Sequence, residues 1–142
     1  MGFSTLISRM RAAWHRYRSL DQRGERAAER YLRRRRYKII ARRERCRLGE
    51  LDLVAADGRT IVLIEVKTRR SHDAGHPAEA VDAEKQRRLN RLALAYLKRH
   101  GLLEYRARFD VIAVTWPDKA RRPAIEHIVN AFEAAGRNSM FS

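Results

Sequence analysis

The most constraining feature of this 142-residue chain is a pair of β-rich runs, Leu51–Ala55 and Thr60–Thr68, separated only by Ala56-Asp57-Gly58-Arg59. An Asp-Gly pair between two such runs is a strong hairpin signal, because glycine supplies the positive φ that two-residue loops demand. The runs are expected to be antiparallel neighbours. With Asp57 and Gly58 as the loop residues, Ala56 faces Arg59, Asp52 faces Leu63 and Glu50 faces Glu65. Side chains alternate faces, so Glu50, Asp52, Leu63, Glu65 and Lys67 share one side of the hairpin. Leu51, Leu53, Val62, Ile64 and Val66 share the other. Asp52 and Glu65 become diagonal neighbours, about 7–8 Å apart at Cβ.

Three acids and a lysine on one face of otherwise apolar strands need compensation, since like charges raise carboxylate pKa values and an unpaired buried ion costs free energy. A divalent cation relieves both. Carboxylate oxygens suit Mg²⁺ or Mn²⁺ better than zinc, for which the usual Cys and His spacing is absent. The competing reading is a solvated face, on which Glu/Lys pairs are common and contribute little.

Around the hairpin, Gly24 to about Arg36 reads as a helix with an apolar stripe of Ala27, Ala28, Tyr31 and Leu32. Tyr37–Arg43 reads as a short strand, and 69–77 as a polar loop with Gly75 and Pro77. Ala78 to about His100 carries the helical pattern Val81, Lys85, Leu89, Leu92, Ala93, Tyr96, with Gly101 as its stop. Ala107–Thr115 is a further strand ended by Trp116-Pro117, and Ala124–Phe132 a last strand or short helix. The order α-β-β-β-α-β, plus one undecided element, predicts an α/β fold with a mixed sheet flanked by helices. Residues 21–135 form one domain, preceded by a basic amphipathic extension over 1–20 and followed by a tail over 136–142. Glu25 lies at the border of the first helix's apolar stripe, either reaching the sheet or favouring the helix N-terminus. Lys85, on the second helix's stripe, either snorkels outward or points at negative charge.

The formal charge is +15, and residues 1–48 contribute +12 of it, 16 basic side chains against 4 acidic. Such a surface attracts phosphate backbones, or anionic headgroups, by steering and counterion release. Arg33, Arg34, Arg35, Arg36, Arg42, Arg43, Arg45 and Arg47 are candidate phosphate contacts, with Arg69 and Arg70 beside the acids; a solvated arginine face is the plainer alternative. Apolar runs such as Ile61–Ile64 are too short to cross a bilayer, and the lone Cys46 excludes an internal disulfide. The Arg-rich, acid-poor start is similar in composition to a transit peptide. An amphipathic helix on Leu6, Met10, Ala13, Trp14 and Tyr17, in a cytoplasmic protein, is preferred. Membrane-surface attachment through this segment is a third possibility. His72 and His76 read as ordinary loop histidines that could approach a substrate.

Asp52, then Glu65-Val66-Lys67, on a hairpin that follows a helix bearing Glu25, resembles the PD-(D/E)XK nuclease superfamily, archaeal Holliday-junction resolvases in particular. More narrowly, Gly24-Glu25-x-x-Ala28-x-x-Tyr31-Leu32, Gly49-Glu50-Leu51-Asp52-Leu53-Val54, Glu65-Val66-Lys67-Thr68-Arg69 and Arg108-Phe109-Asp110-Val111 are similar to the YraN-like family of small bacterial proteins. The likeness covers about Gly24 to Val114. It implies a restriction-endonuclease-like core and a Mg²⁺- or Mn²⁺-dependent endonuclease acting on DNA, with branched or junction DNA among its substrates. In that reading Asp52 and Glu65 hold the metal with the Val66 carbonyl, Lys67 is the catalytic lysine and Glu25 an accessory acid. Glu50, Lys85 and Gln86 assist, and two-fold junctions would suit a homodimer. Leu51 stands in place of the superfamily's proline, and Arg36 where the narrower family usually has glycine. Asp110 belongs to the pattern without a catalytic role and fits structural support. A non-catalytic nucleic-acid-binding protein that kept the fold is the alternative.

Overall fold

The computed structural model describes residues 3–71 and 82–131. Helix α1 spans Phe3–Arg34, and strands β1 (Lys38–Cys46), β2 (Gly49–Asp57) and β3 (Thr60–Arg69) follow. Helix α2 (Ala83–Arg99) leads to β4 (Ala107–Thr115) and β5 (Ala124–Ile128). The strands lie in the order β1-β2-β3-β4-β5, all neighbours antiparallel except β3 and β4, which α2 connects in parallel. The element left open over 124–132 is thus an edge strand. Among the described residues no helix is long and apolar enough to cross a membrane.

Each face of the sheet is covered by one helix. Ala27, Ala28 and Leu32 of α1 pack on Leu53, Ala55, Val62, Ile64, Ile112 and Val114. Leu89, Leu92, Ala93, Tyr96 and Leu97 of α2 pack on Leu51, Val54, Ile61, Leu63, Phe109 and Val111. Strands β3 and β4 are buried on both sides, which is why Ile61–Ile64 and Val111–Val114 read as unbroken apolar runs. This three-layer mixed α/β arrangement is that of a restriction-endonuclease-like core.

Four expectations are corrected. The first helix begins at Phe3 rather than Gly24, so residues 3–20 continue the helix of the domain. The second begins at Ala83 rather than Ala78, where the Asp82 carboxylate caps it by accepting the Lys85 N–H at 2.8 Å. The hairpin loop is Gly58-Arg59, with Asp57 paired to Thr60. Gly58 has φ 61 and Arg59 does not share it, the pattern of a turn with glycine first. Moving the loop by one residue leaves the faces of the paired residues 53–57 and 60–64 unchanged, but Val54 now opposes Leu63 and Leu53 opposes Ile64. Finally, Leu51 and Leu53 do not share a face: Leu51 packs under α2 and Leu53 under α1. The flanking pairs Arg42 with Leu53 and Glu44 with Leu51 leave Arg43 opposite Asp52, and Arg43 has φ 49. The alternation of β2 breaks between Leu51 and Leu53, beside that positive φ, while the β1–β2 register itself shifts only between Ile39 and Ala41.

Both helices end in the same way. Gly101, at φ 66, donates its N–H to Lys98 O at 3.3 Å, and Leu102 N–H reaches Leu97 O at 2.8 Å. After α1, Arg36 N–H donates to Arg33 O and Tyr37 N–H to Leu32 O, both at 3.0 Å, with Arg36 itself at φ 68. This is the Schellman pattern, which leaves one residue in the left-handed region. The side chains of Leu6, Met10, Ala13, Trp14 and Tyr17, the loop residues His72, Gly75, His76 and Pro77, and the tail 136–142 lie outside the described residues.

Candidate active site

The hairpin ladder pairs Asp57 with Thr60 through to Leu53 with Ile64. Beyond Leu53, the Val66 N–H donates to Asp52 Oδ2 at 2.8 Å. A backbone donor of β3 is thus satisfied by a side chain of β2, and the acid is fixed beside the Glu65-Val66-Lys67 segment. Asp52 is half-buried, and its pKa is pushed up to about 7. Burial is the main cause, and the neighbouring charge of Glu65 adds to it, followed by Glu25 and Glu50; the Val66 N–H partly offsets them. The acids singled out in the sequence therefore do share one electrostatic neighbourhood.

Each of them also has a protein partner. Glu65 Oε1 lies 3.0 Å from Lys85 Nζ and 3.4 Å from Lys67 Nζ. Lys85 thus points at the site from the first turn of α2, with Gln86 half-buried beside it. Burial and the adjacent Lys85 make Lys67 give up its proton more readily than an ordinary lysine. Glu25 Oε2 accepts from Arg43 Nε at 2.8 Å, and Glu50 Oε2 from Arg45 Nε at 2.7 Å. Among the described residues no group of three His, Cys, Asp or Glu side chains is arranged to hold a metal ion. The donor set is Asp52 and Glu65. Two hard carboxylate oxygens with waters completing the sphere suit Mg²⁺, and a cation between them would offset both the burial and the Glu65 repulsion that raise Asp52.

Glu25 reaches this region because its neighbour is glycine. A Cβ built on Gly24 would fall 1.9 Å from the Thr68 Oγ1, so only a residue without a side chain lets α1 cross β3 this closely.

The arginines divide. Arg33 and Arg42 are both tied to Glu29, whose pKa is lowered chiefly by Arg42. Arg69 donates to Thr115 Oγ1 at 3.2 Å, and Arg70 pairs with Asp118. Arg35 lies over the Tyr31 ring at 4.4 Å, while Arg34, Arg36 and Arg47 are exposed. Beside Glu25 and Glu29, a groove between α1 and β1 is lined by Arg26, Arg30, Arg33, Arg42 and Arg43.

Sequence reasoning missed two things. One is the place of Arg43, named only as a phosphate contact, whose guanidinium meets Glu25 and lies near enough to feel Glu50 and Asp52. Only its place opposite Asp52 could have flagged it. The other is the network around Asp110, which is buried and accepts from Arg108 Nε at 3.0 Å and from Asn130 N–H at 2.9 Å. The His127 Nε2 lies 2.7 Å from its other oxygen. Arg108 also reaches Asp57 and the Tyr37 hydroxyl, so Asp110 ties β4 to β5 and to the hairpin end.

Fold and site together define a small mixed α/β protein with an acid and acid-x-lysine cluster at the point where β2 and β3 part. Residues 24–114 match the model of the uncharacterised protein family UPF0102. A UPF0102 protein of Geobacter sulfurreducens is 54% identical over 123 residues, covering 85% of this chain and 94% of its own. One from Geobacter metallireducens is 51% identical over 82% of this chain and 94% of its own. Another from Rhodopirellula baltica is 48% identical over 86% and 75%. The chain belongs to the UPF0102, or YraN-like, family.

Proposed function

We propose that this protein is a metal-dependent nuclease of the PD-(D/E)XK kind, hydrolysing phosphodiester bonds in DNA. The observation that carries the reading is the joining of Asp52, Glu65 and Lys67 at one opening of the sheet, with Asp52 held by the Val66 N–H. Asp52, Glu65 and the Val66 carbonyl would hold Mg²⁺ or Mn²⁺. When bound, the cation supplies Lewis-acid activation of a water and polarisation of a phosphodiester oxygen. Lys67 would orient the attacking water or stabilise the negative charge that develops on the phosphorane. Lys85, at 3.0 Å from Glu65, keeps that carboxylate in place. Arg43 neutralises Glu25 until a phosphate arrives, and Arg26, Arg30 and Arg33 line the approach from the α1 side.

A non-catalytic nucleic-acid-binding protein is the second reading, favoured by the cationic partners that Glu25, Glu50 and Glu65 already have. One experiment separates the two. Branched, duplex and single-stranded DNA are incubated with the protein and with its Asp52→Ala and Lys67→Ala variants, in Mg²⁺ or Mn²⁺. Cleavage by the wild type, reduced at least about 10²-fold in both variants, is expected. No cleavage of any substrate by wild type favours the binding protein, and cleavage surviving in both variants removes the assigned site.

A further inference from the structure

On the flank of α1 away from β1 lies a second cavity, of about 650 Å³, between the helix, the β4–β5 connection and β5. Five arginines line it: Arg30 and Arg34 from α1, Arg35 from the turn that follows it, and Arg121 and Arg122 from the connection. All five are exposed, none is ion-paired to an acid among the described residues, and no described acidic side chain lines the cavity. This contrasts with the groove beside β1, where Glu25 and Glu29 answer the arginines. Five like charges around one concavity repel, and a polyanion relieves that repulsion while releasing its own counterions.

The walls are also fixed. Trp116 Nε1 donates to Ala120 O at 2.9 Å and Ala120 N–H to Pro117 O at 3.1 Å, pinning the turn that presents Arg121 and Arg122. Trp116 and Tyr31 form the aromatic part of the lining, and the Arg23 guanidinium lies 4.0 Å above the Trp116 ring.

We infer that this cavity is a second phosphate-binding site for nucleic acid, separate from the acid cluster. It holds a backbone segment of the same molecule that enters the groove beside β1. Arg30 lines both cavities and links them across the helix. Glu25 and Arg34 are about 13 Å apart along the axis, the rise of about four base steps, so a ligand longer than that can occupy both. An anionic lipid surface is disfavoured because the basic residues line a concavity rather than a flat face. The inference rests on the nucleic-acid reading above but not on catalysis.

Binding is measured on the full chain in EDTA, where no cleavage occurs, with a labelled 16-base single strand and a 16-base-pair duplex. In a Trp14→Phe background Trp116 is the only tryptophan and reports the cavity directly. The expected result is a change of Trp116 emission on adding oligonucleotide. An Arg121→Glu/Arg122→Glu variant and, on a different element, Arg34→Glu should each bind about tenfold more weakly, with the salt slope reduced by about 1–2. Arg59→Gln, which lines neither cavity, should keep most of the wild-type affinity, and because binding is read without metal, failure of the nuclease reading leaves this result standing. Unchanged affinity and slope in both arginine variants would overturn the inference, as would binding with Trp116 silent. Saturation of the signal by millimolar inorganic phosphate, with no gain from oligonucleotide, makes it a free-phosphate site instead. Loss of binding only to phosphatidylcholine/phosphatidylglycerol vesicles makes it a lipid site.

Discussion

Arg36 occupies a position that suits glycine, at φ 68 in the Schellman motif after α1. A side chain there costs about 1–2 kcal/mol, while glycine loses about 0.5–1 kcal/mol of unfolded-state freedom. Arg36→Gly should therefore stabilise the protein by about 0.5–1 kcal/mol, seen as a melting temperature raised by a few degrees. At Asp52 the balance is set by charge. Its folded pKa of about 7 exceeds the unfolded value near 4, so its share of stability is intact below about pH 4 and is lost as pH rises through 7. Asp52→Asn should stabilise the metal-free protein by about 1–2 kcal/mol at pH 8 and by much less at pH 4, in paired denaturant titrations. Alternation placed Glu50, Asp52, Glu65 and Lys67 on one face, and only the family resemblance singled out Asp52, Glu65 and Lys67 among them. They could not reveal that Glu25, Glu50 and Glu65 are held by Arg43, Arg45 and Lys85, because those contacts join residues that only the fold brings together.

Among the elements, the hairpin faces were legible because period-two alternation survives a loop shifted by one residue. The register was not, since Gly58 can supply positive φ either as the second residue of an Asp-Gly loop or as the first of a Gly-Arg loop. The break between Leu51 and Leu53 was hidden for a similar reason: nothing in the local sequence marks the positive φ at Arg43 opposite it. Strand β5 stayed undecided because its five residues carry little periodicity, and its attachment is long-range, through Asp110 to His127 and Asn130. Burial would raise the Asp110 pKa, but the hydrogen bonds from His127, Arg108 and Asn130 outweigh it, and the pKa is lowered. Its stabilisation is complete above the unfolded value near 4 and disappears as pH falls through the depressed folded value. Asp110→Asn should cost about 3–5 kcal/mol at pH 7 and flatten the loss of melting temperature on acidification below pH 4.

At the scale of the whole molecule, +12 of the +15 charge lies in residues 1–48, the part of the chain that forms α1 and the edge strand β1. That asymmetry was visible in the sequence; its division into an acid-answered groove and a cavity lined by no acid among the described residues was not, because Arg121 and Arg122 come from the other end of the chain. If some five phosphates are neutralised across both, raising salt from 50 to 200 mM should weaken DNA binding by about 10²–10³-fold, as measured by anisotropy. A neutral-ligand protein would hardly respond. The hydrogen bond from the Val66 N–H to Asp52 has a practical corollary. Because that amide rests on a titratable oxygen instead of a neighbouring strand, its ¹⁵N–¹H resonance is a built-in gauge of the carboxylate's occupancy. A single peak can thus tell ions arriving at the acids from polyanions arriving at the arginines.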